Sequence, residues 1–88
     1  MAKKIEGTYK GHLFTAINRW FGGLKLYHNK TEIAHYKGLT ATNRNIPLIA
    51  KELSIEGVET KVEVYGYAIS KVLLQIRVNG QKIAGDDF

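Results

Sequence analysis

The stretch around Asn79-Gly80 constrains this chain more than any other. Val72, Leu74, Ile76 and Val78 alternate with Leu73, Gln75 and Arg77. That period of two belongs to a strand with one buried face. Asn-Gly then supplies the two positive φ angles of a two-residue type I′ loop. Across such a loop Val78 should face Gln81, Arg77 should face Lys82, and Ile76 should face Ile83. The preceding strand follows the same rule: Val62 and Val64 point one way, while Glu59, Lys61, Glu63 and Tyr65 point the other. Val62, Val64, Leu74, Ile76 and Val78 are therefore the expected core.

The rest of the chain is punctuated in the same way. Nine glycines divide it into short runs, many of them alternating. Eight strands are expected, at about 4–10, 12–18, 23–28, 31–37, 48–55, 59–67, 71–78 and 81–84. The run Ile46–Ile55 also has partly helical spacing after Pro47, which could open a helix. A strand is expected there, because a helix would span barely two turns.

Part of the pattern occurs twice. Residues 5–35 laid without a gap on 55–85 give seven identities: Ile5/Ile55, Glu6/Glu56, Gly7/Gly57, Leu24/Leu74, Asn29/Asn79, Ile33/Ile83 and Ala34/Ala84. About two would be expected from ordinary residue frequencies. A single hairpin cannot bury its apolar face alone, whereas two similar sheets can cover each other. The expected fold is all-β: one domain over residues 1–88, an antiparallel β-sandwich of about eight short strands built from two related hairpin halves. On a duplication, Asn29-Lys30 and Asn79-Gly80 should be equivalent turns, with Leu26 and Ile76 both buried.

The segment "Leu-Ser-Ile-Glu-Gly", the alternating strand after it and "Leu-Leu-Gln-Ile-Arg-Val-Asn-Gly-Gln-Lys-Ile" together resemble the closing hairpins of Fas apoptotic inhibitory molecule family domains. The agreement is best over Leu53–Ile83. The resemblance implies an eight-stranded antiparallel sandwich, soluble and non-catalytic, acting through protein contacts. It carries no catalytic motif, so it assigns no site residue.

The residues themselves also argue against catalysis. With no cysteine, there is no thiol nucleophile, disulfide or thiolate metal site. Ser54 and Ser70 lack a nucleophile elbow, and Phe21-Gly22-Gly23 lacks the features of a phosphate loop. Glu59 and Glu63 are flanked by Lys61 and read as exposed, which gives neither the burial nor the like-charge neighbour that a general acid needs. Asp86 and Asp87 read as mobile terminal positions. In the hairpin of strands 23–28 and 31–37, turning at Asn29-Lys30, His28 should face Thr31 and His35 should face Leu24, on rungs about 13 Å apart at the strand rise. His12 has no expected approach to either. No catalytic residue, metal site or cofactor is expected.

What remains is binding. The net charge of +5 favours anionic partners. No run is apolar enough for a secretory signal or a membrane span, so the expected location is cytoplasmic. A protein partner is the leading expectation. The aromatic loop Arg19, Trp20 and Phe21 has hot-spot composition, although Trp20 or Phe21 could instead plug one end of the sandwich. Lys61, Arg77 and Lys82 form the second candidate surface. If residues 68–70 make a three-residue turn, these cations stand in line across three strands. The polar loop Gly38–Pro47 is either functional or a plain crossover. The rival expectation is a small basic barrel binding single-stranded nucleic acid or another polyanion through Lys25, Tyr27, Tyr36, Tyr65 and Arg77. A homodimer through a sheet edge is the third.

Overall fold

The structure is a computed structural model that describes residues 2–19, 23–37, 45–68 and 72–88. The described residues form eight strands and no helix: β1 (Ala2–Tyr9), β2 (His12–Arg19), β3 (Gly23–His28), β4 (Thr31–Tyr36), β5 (Ile49–Ile55), β6 (Val58–Ala68), β7 (Val72–Val78) and β8 (Gln81–Gly85). They make two four-stranded antiparallel sheets, β1-β2-β3-β4 and β5-β6-β7-β8. The ambiguous run before Ile55 is strand, as expected.

The sheets stack on their apolar faces. Phe14, Ala16, Leu24 and Leu26 from the first sheet meet Ile49, Ile55, Val62, Val64, Leu74, Ile76 and Val78 from the second. The five core positions read from the alternation are all at most 2% exposed. Burying each such side chain stabilises the fold by about 1.5–3 kcal/mol. With no disulfide to help, this layer carries the fold.

Among the described residues, four hairpins close through two-residue loops, at Lys10-Gly11, Asn29-Lys30, Glu56-Gly57 and Asn79-Gly80, and every one of these residues has positive φ. All four therefore share the type I′ geometry, whose twist matches that of the strands it joins.

The second hairpins of the two sheets match in detail. Asn29 N–H donates to Leu13 O and Asn79 N–H to Lys61 O, both at 2.8 Å. Leu13 N–H and Lys61 N–H in turn donate to the Asn29 and Asn79 Oδ1 atoms, both at 2.9 Å. Each hairpin carries a β-bulge after the same step, between Leu26 and Tyr27 and between Ile76 and Arg77. The extra residues are Ile33 and Ile83. Ile76 consequently faces Ala84 and not Ile83, and His35 faces Lys25 and not Leu24. Leu26 and Ile76 are both fully buried.

The gapless 50-residue offset does not extend to the first hairpins. Ile5, Glu6 and Gly7 lie inside β1, whereas Ile55 ends β5 and Glu56-Gly57 is a turn. By strand register, Gly7 pairs Phe14 while Lys51 pairs Val62. Phe14 in turn pairs His28, and Val62 pairs Val78, just before the two matching asparagines. Gly7 and Lys51 are thus the corresponding positions. A Cβ on Gly7 would stand 2.5 Å from Ile83 O and 2.8 Å from Ala84 Cβ. Only glycine lets β1 lie this close against β8. Lys3 Nζ, 2.8 Å from Asp86 Oδ2, fastens the same seam. Lys51, facing inward by register, is exposed.

Candidate functional site

The second sheet's outward face differs from the expected basic row. β6 and β7 pair with Val62 opposite Val78, Val64 opposite Ile76 and Glu63 opposite Arg77. The register is displaced by two residues from the one that sets Lys61 beside Arg77. A two-residue slip keeps every side chain on its own face, so alternation alone cannot choose between the two registers. Charge can: opposite charges facing across strands stabilise the pair, whereas like charges destabilise it. Arg77 does face Lys82, as expected.

Of the two glutamates expected to be exposed, Glu59 is, while Glu63 is buried at 8% exposure. Tyr65 Oη donates to Glu63 Oε2 at 3.2 Å, and Lys61 Nζ lies 3.7 Å from the same oxygen. The Arg77 guanidinium sits over the Tyr65 ring, 4.2 Å from its centre, and its Nε donates to Gln75 Oε1. Lys82 is paired with Asp87. The three cations therefore serve the sheet's own acids, amides and rings.

The C-terminal residues hold this face together. Asp86 N–H donates to Leu74 O at 2.7 Å, and Asp86 Oδ2 accepts from Leu74 N–H at 3.0 Å. Asp86 O accepts from Gln75 Nε2 at 2.8 Å. Phe88 stacks on Tyr67. Asp86 is therefore a structural residue and not the free terminus its position suggests.

Arg19 is exposed at the end of β2, while Trp20 and Phe21 lie outside the described residues. So does most of the polar loop, from 38 to 44. Among the rival's residues, Lys25 pairs with Glu32 at 3.5 Å, and Tyr65 is buried under Arg77.

Two features escaped the sequence reading. The first is a histidine pair. His12 Nδ1 and His28 Nε2 are 2.8 Å apart, and the rings are within 11° of parallel. The ring centres are 5.1 Å apart, about the contact distance plus two ring radii. The rings thus meet edge to edge along one hydrogen bond. The β2–β3 register, Phe14 opposite His28, makes the approach possible; only the connection around residues 20–22 could have signalled it. Asn29 Oδ1 accepts from Leu13 N–H, which turns its amide nitrogen toward His28 Nε2, 3.5 Å away. In the 2.8 Å contact one ring nitrogen carries the proton and the other accepts it. Burial, and secondarily the neighbouring His12, lower the pKa of His28. His28 also lies against Phe14.

The second feature is apolar. Among the described residues, the exposed large hydrophobics are Ile46 and Val58, at 58% and 53%. Ile46 precedes β5, and Val58 pairs Ile55 at its far end. They flank one edge strand.

Among the described residues no cluster of three His, Asp or Glu is placed to hold a metal, and no helix is long and apolar enough to cross a membrane. Comparison with protein-family models, characterised proteins and solved structures finds no match for this chain.

Proposed function

We propose that this domain is a non-enzymatic interaction module that recognises a protein partner by adding a strand to the outer edge of β5, which pairs with β6 alone among the described strands. The observation that carries the reading is the exposure of Ile46, just before β5, and of Val58, on β6 opposite the last residue of β5. An edge strand offers a row of backbone donors and acceptors, and an extended peptide can satisfy them. Apolar side chains at both ends would give such a peptide two anchors. The resemblance of Leu53–Ile83 to Fas apoptotic inhibitory molecule family hairpins points the same way, toward protein contacts and away from catalysis. The polyanion reading has less support, since Lys25, Lys61 and Lys82 each pair with an acid.

A photo-crosslinking residue placed at Ala50 on β5 tests the proposal in the native host. A discrete protein adduct is expected from Ala50 and not from Lys61, on the outward face of β6. The adduct should vanish in the Ile46→Glu, Val58→Glu double variant. Equal labelling from both positions, or an adduct indifferent to the double variant, would sink the proposal.

A further inference from the structure

We infer that His12 and His28 form a two-coordinate site for a monovalent d10 cation, Cu(I) or its analogue Ag(I). The inference is independent of the β5 edge.

Three observations lead to it. The two contact nitrogens point at each other in one plane, 2.8 Å apart. A cation replacing the bridging proton would have its two donors in line, the arrangement that d10 monovalent ions accept. Second, no third His, Asp or Glu among the described residues completes a larger set. Zinc, which wants four ligands in a tetrahedron, would have to take the rest from water. Third, one flank of the pair is apolar, with the His28 ring lying against Phe14. An apolar flank favours a singly charged ion over a strongly hydrated dication.

The change required is small. Two metal–nitrogen bonds of about 2 Å in line need the nitrogens about 4 Å apart, so the rings must separate by roughly 1 Å. Both side chains are half-buried beside hairpin loops, where a slight χ rotation suffices. The protons balance within the pair. The ring that carries the bridging proton shifts it to its other nitrogen, and the partner ring keeps its proton on the nitrogen away from the contact. Both contact nitrogens then present lone pairs, no proton leaves, and two M–N bonds replace one N–H···N hydrogen bond.

Titration of the whole chain with silver nitrate in chloride-free buffer, followed on the histidine ring resonances, tests the site. One equivalent should shift both His12 and His28, with a dissociation constant of about 10 µM or tighter. His12→Gln and His28→Gln should each weaken binding at least about tenfold, while His35→Gln leaves it unchanged. Zinc chloride should bind far more weakly. A thermal melt of each variant verifies folding, and His12→Asn replaces any variant that fails to fold. Absence of ring shifts below about 100 µM silver, a His12 variant within twofold of the parent, or equal loss on His35→Gln would each overturn the site.

Discussion

Gly7 and Lys51 occupy corresponding rungs of the two sheets, and they treat their neighbours in opposite ways. Gly7 leaves no room for a Cβ against Ile83 and Ala84. The β1–β8 seam is closed by the lack of a side chain, whereas the Lys51 side chain stands in solvent at the matching place on β5. Gly7→Ala should therefore lower stability by about 1–3 kcal/mol. Lys51→Ala should change it by less than about 0.5 kcal/mol. Urea melts of both variants check the contrast.

Lys30 is the exception among the four type I′ loops. The others carry glycine at their second position, whereas Lys30 holds a φ of 71°. A left-handed conformation costs a side-chain-bearing residue about 1 kcal/mol. Lys30→Gly should recover roughly that amount, seen as a higher denaturation midpoint at unchanged m-value.

Asn79 does two things that can be separated. It adopts a φ of 49°, and its Oδ1 accepts from Lys61 N–H. Asn79→Gly keeps the angle and loses the hydrogen bond, at about 0.5–1.5 kcal/mol. Asn79→Ala loses both and should cost about 1 kcal/mol more. Equal melts for the two variants would show that only the hydrogen bond matters.

His28 makes the fold acid-sensitive. Its folded pKa lies below the ordinary 6.5, so the unfolded chain binds its proton more readily. The stability this ring contributes is complete above about pH 6.5 and is lost as the pH falls through the lowered folded value. Chemical melts from pH 8 to pH 5 should show a decline that flattens in His28→Gln. In His12→Gln the decline should shrink, since His12 supplies part of the depression.

Arg77 lies opposite Glu63 as well as Lys82, and this reverses the sign expected from a row of like charges. Arg77→Met removes the hydrogen bond to Gln75 and the guanidinium over the Tyr65 ring. It should cost about 1–2 kcal/mol, the range of a charge-assisted contact. Lys82→Met, which removes only a half-exposed cation paired with Asp87, should stay within about 0.5 kcal/mol. A rise in stability on Arg77→Met would mean that repulsion from Lys82 dominates.

Most of the fold was legible because its strands obey one rule. Alternation located every strand to within about two residues and identified Val62, Val64, Leu74, Ile76 and Val78 as core. What it missed were quantities that alternation does not encode. The β6–β7 register differs by two, a slip that preserves both faces. The bulges at Ile33 and Ile83 have no turn residue to announce them, although these two isoleucines are among the repeated identities. The histidine pair joins adjacent strands whose pairing depends on a connection of unread length. Across β6 and β7, Arg77 was given Lys61 as its neighbour, where the register puts Glu63.

Each sheet joins strands only in the order the chain delivers them. Every backbone ladder therefore closes a short loop, and the entropy of closing loops is the main brake on β-sheet folding. The long-range step is reduced to laying one finished meander on the other. Until that happens each meander carries a bare apolar face, so the docking of the two halves governs both folding speed and exposure to aggregation. The Gly7 seam lies on that docking step and not within either meander, which makes it a place where one methyl group would slow assembly while leaving both sheets intact.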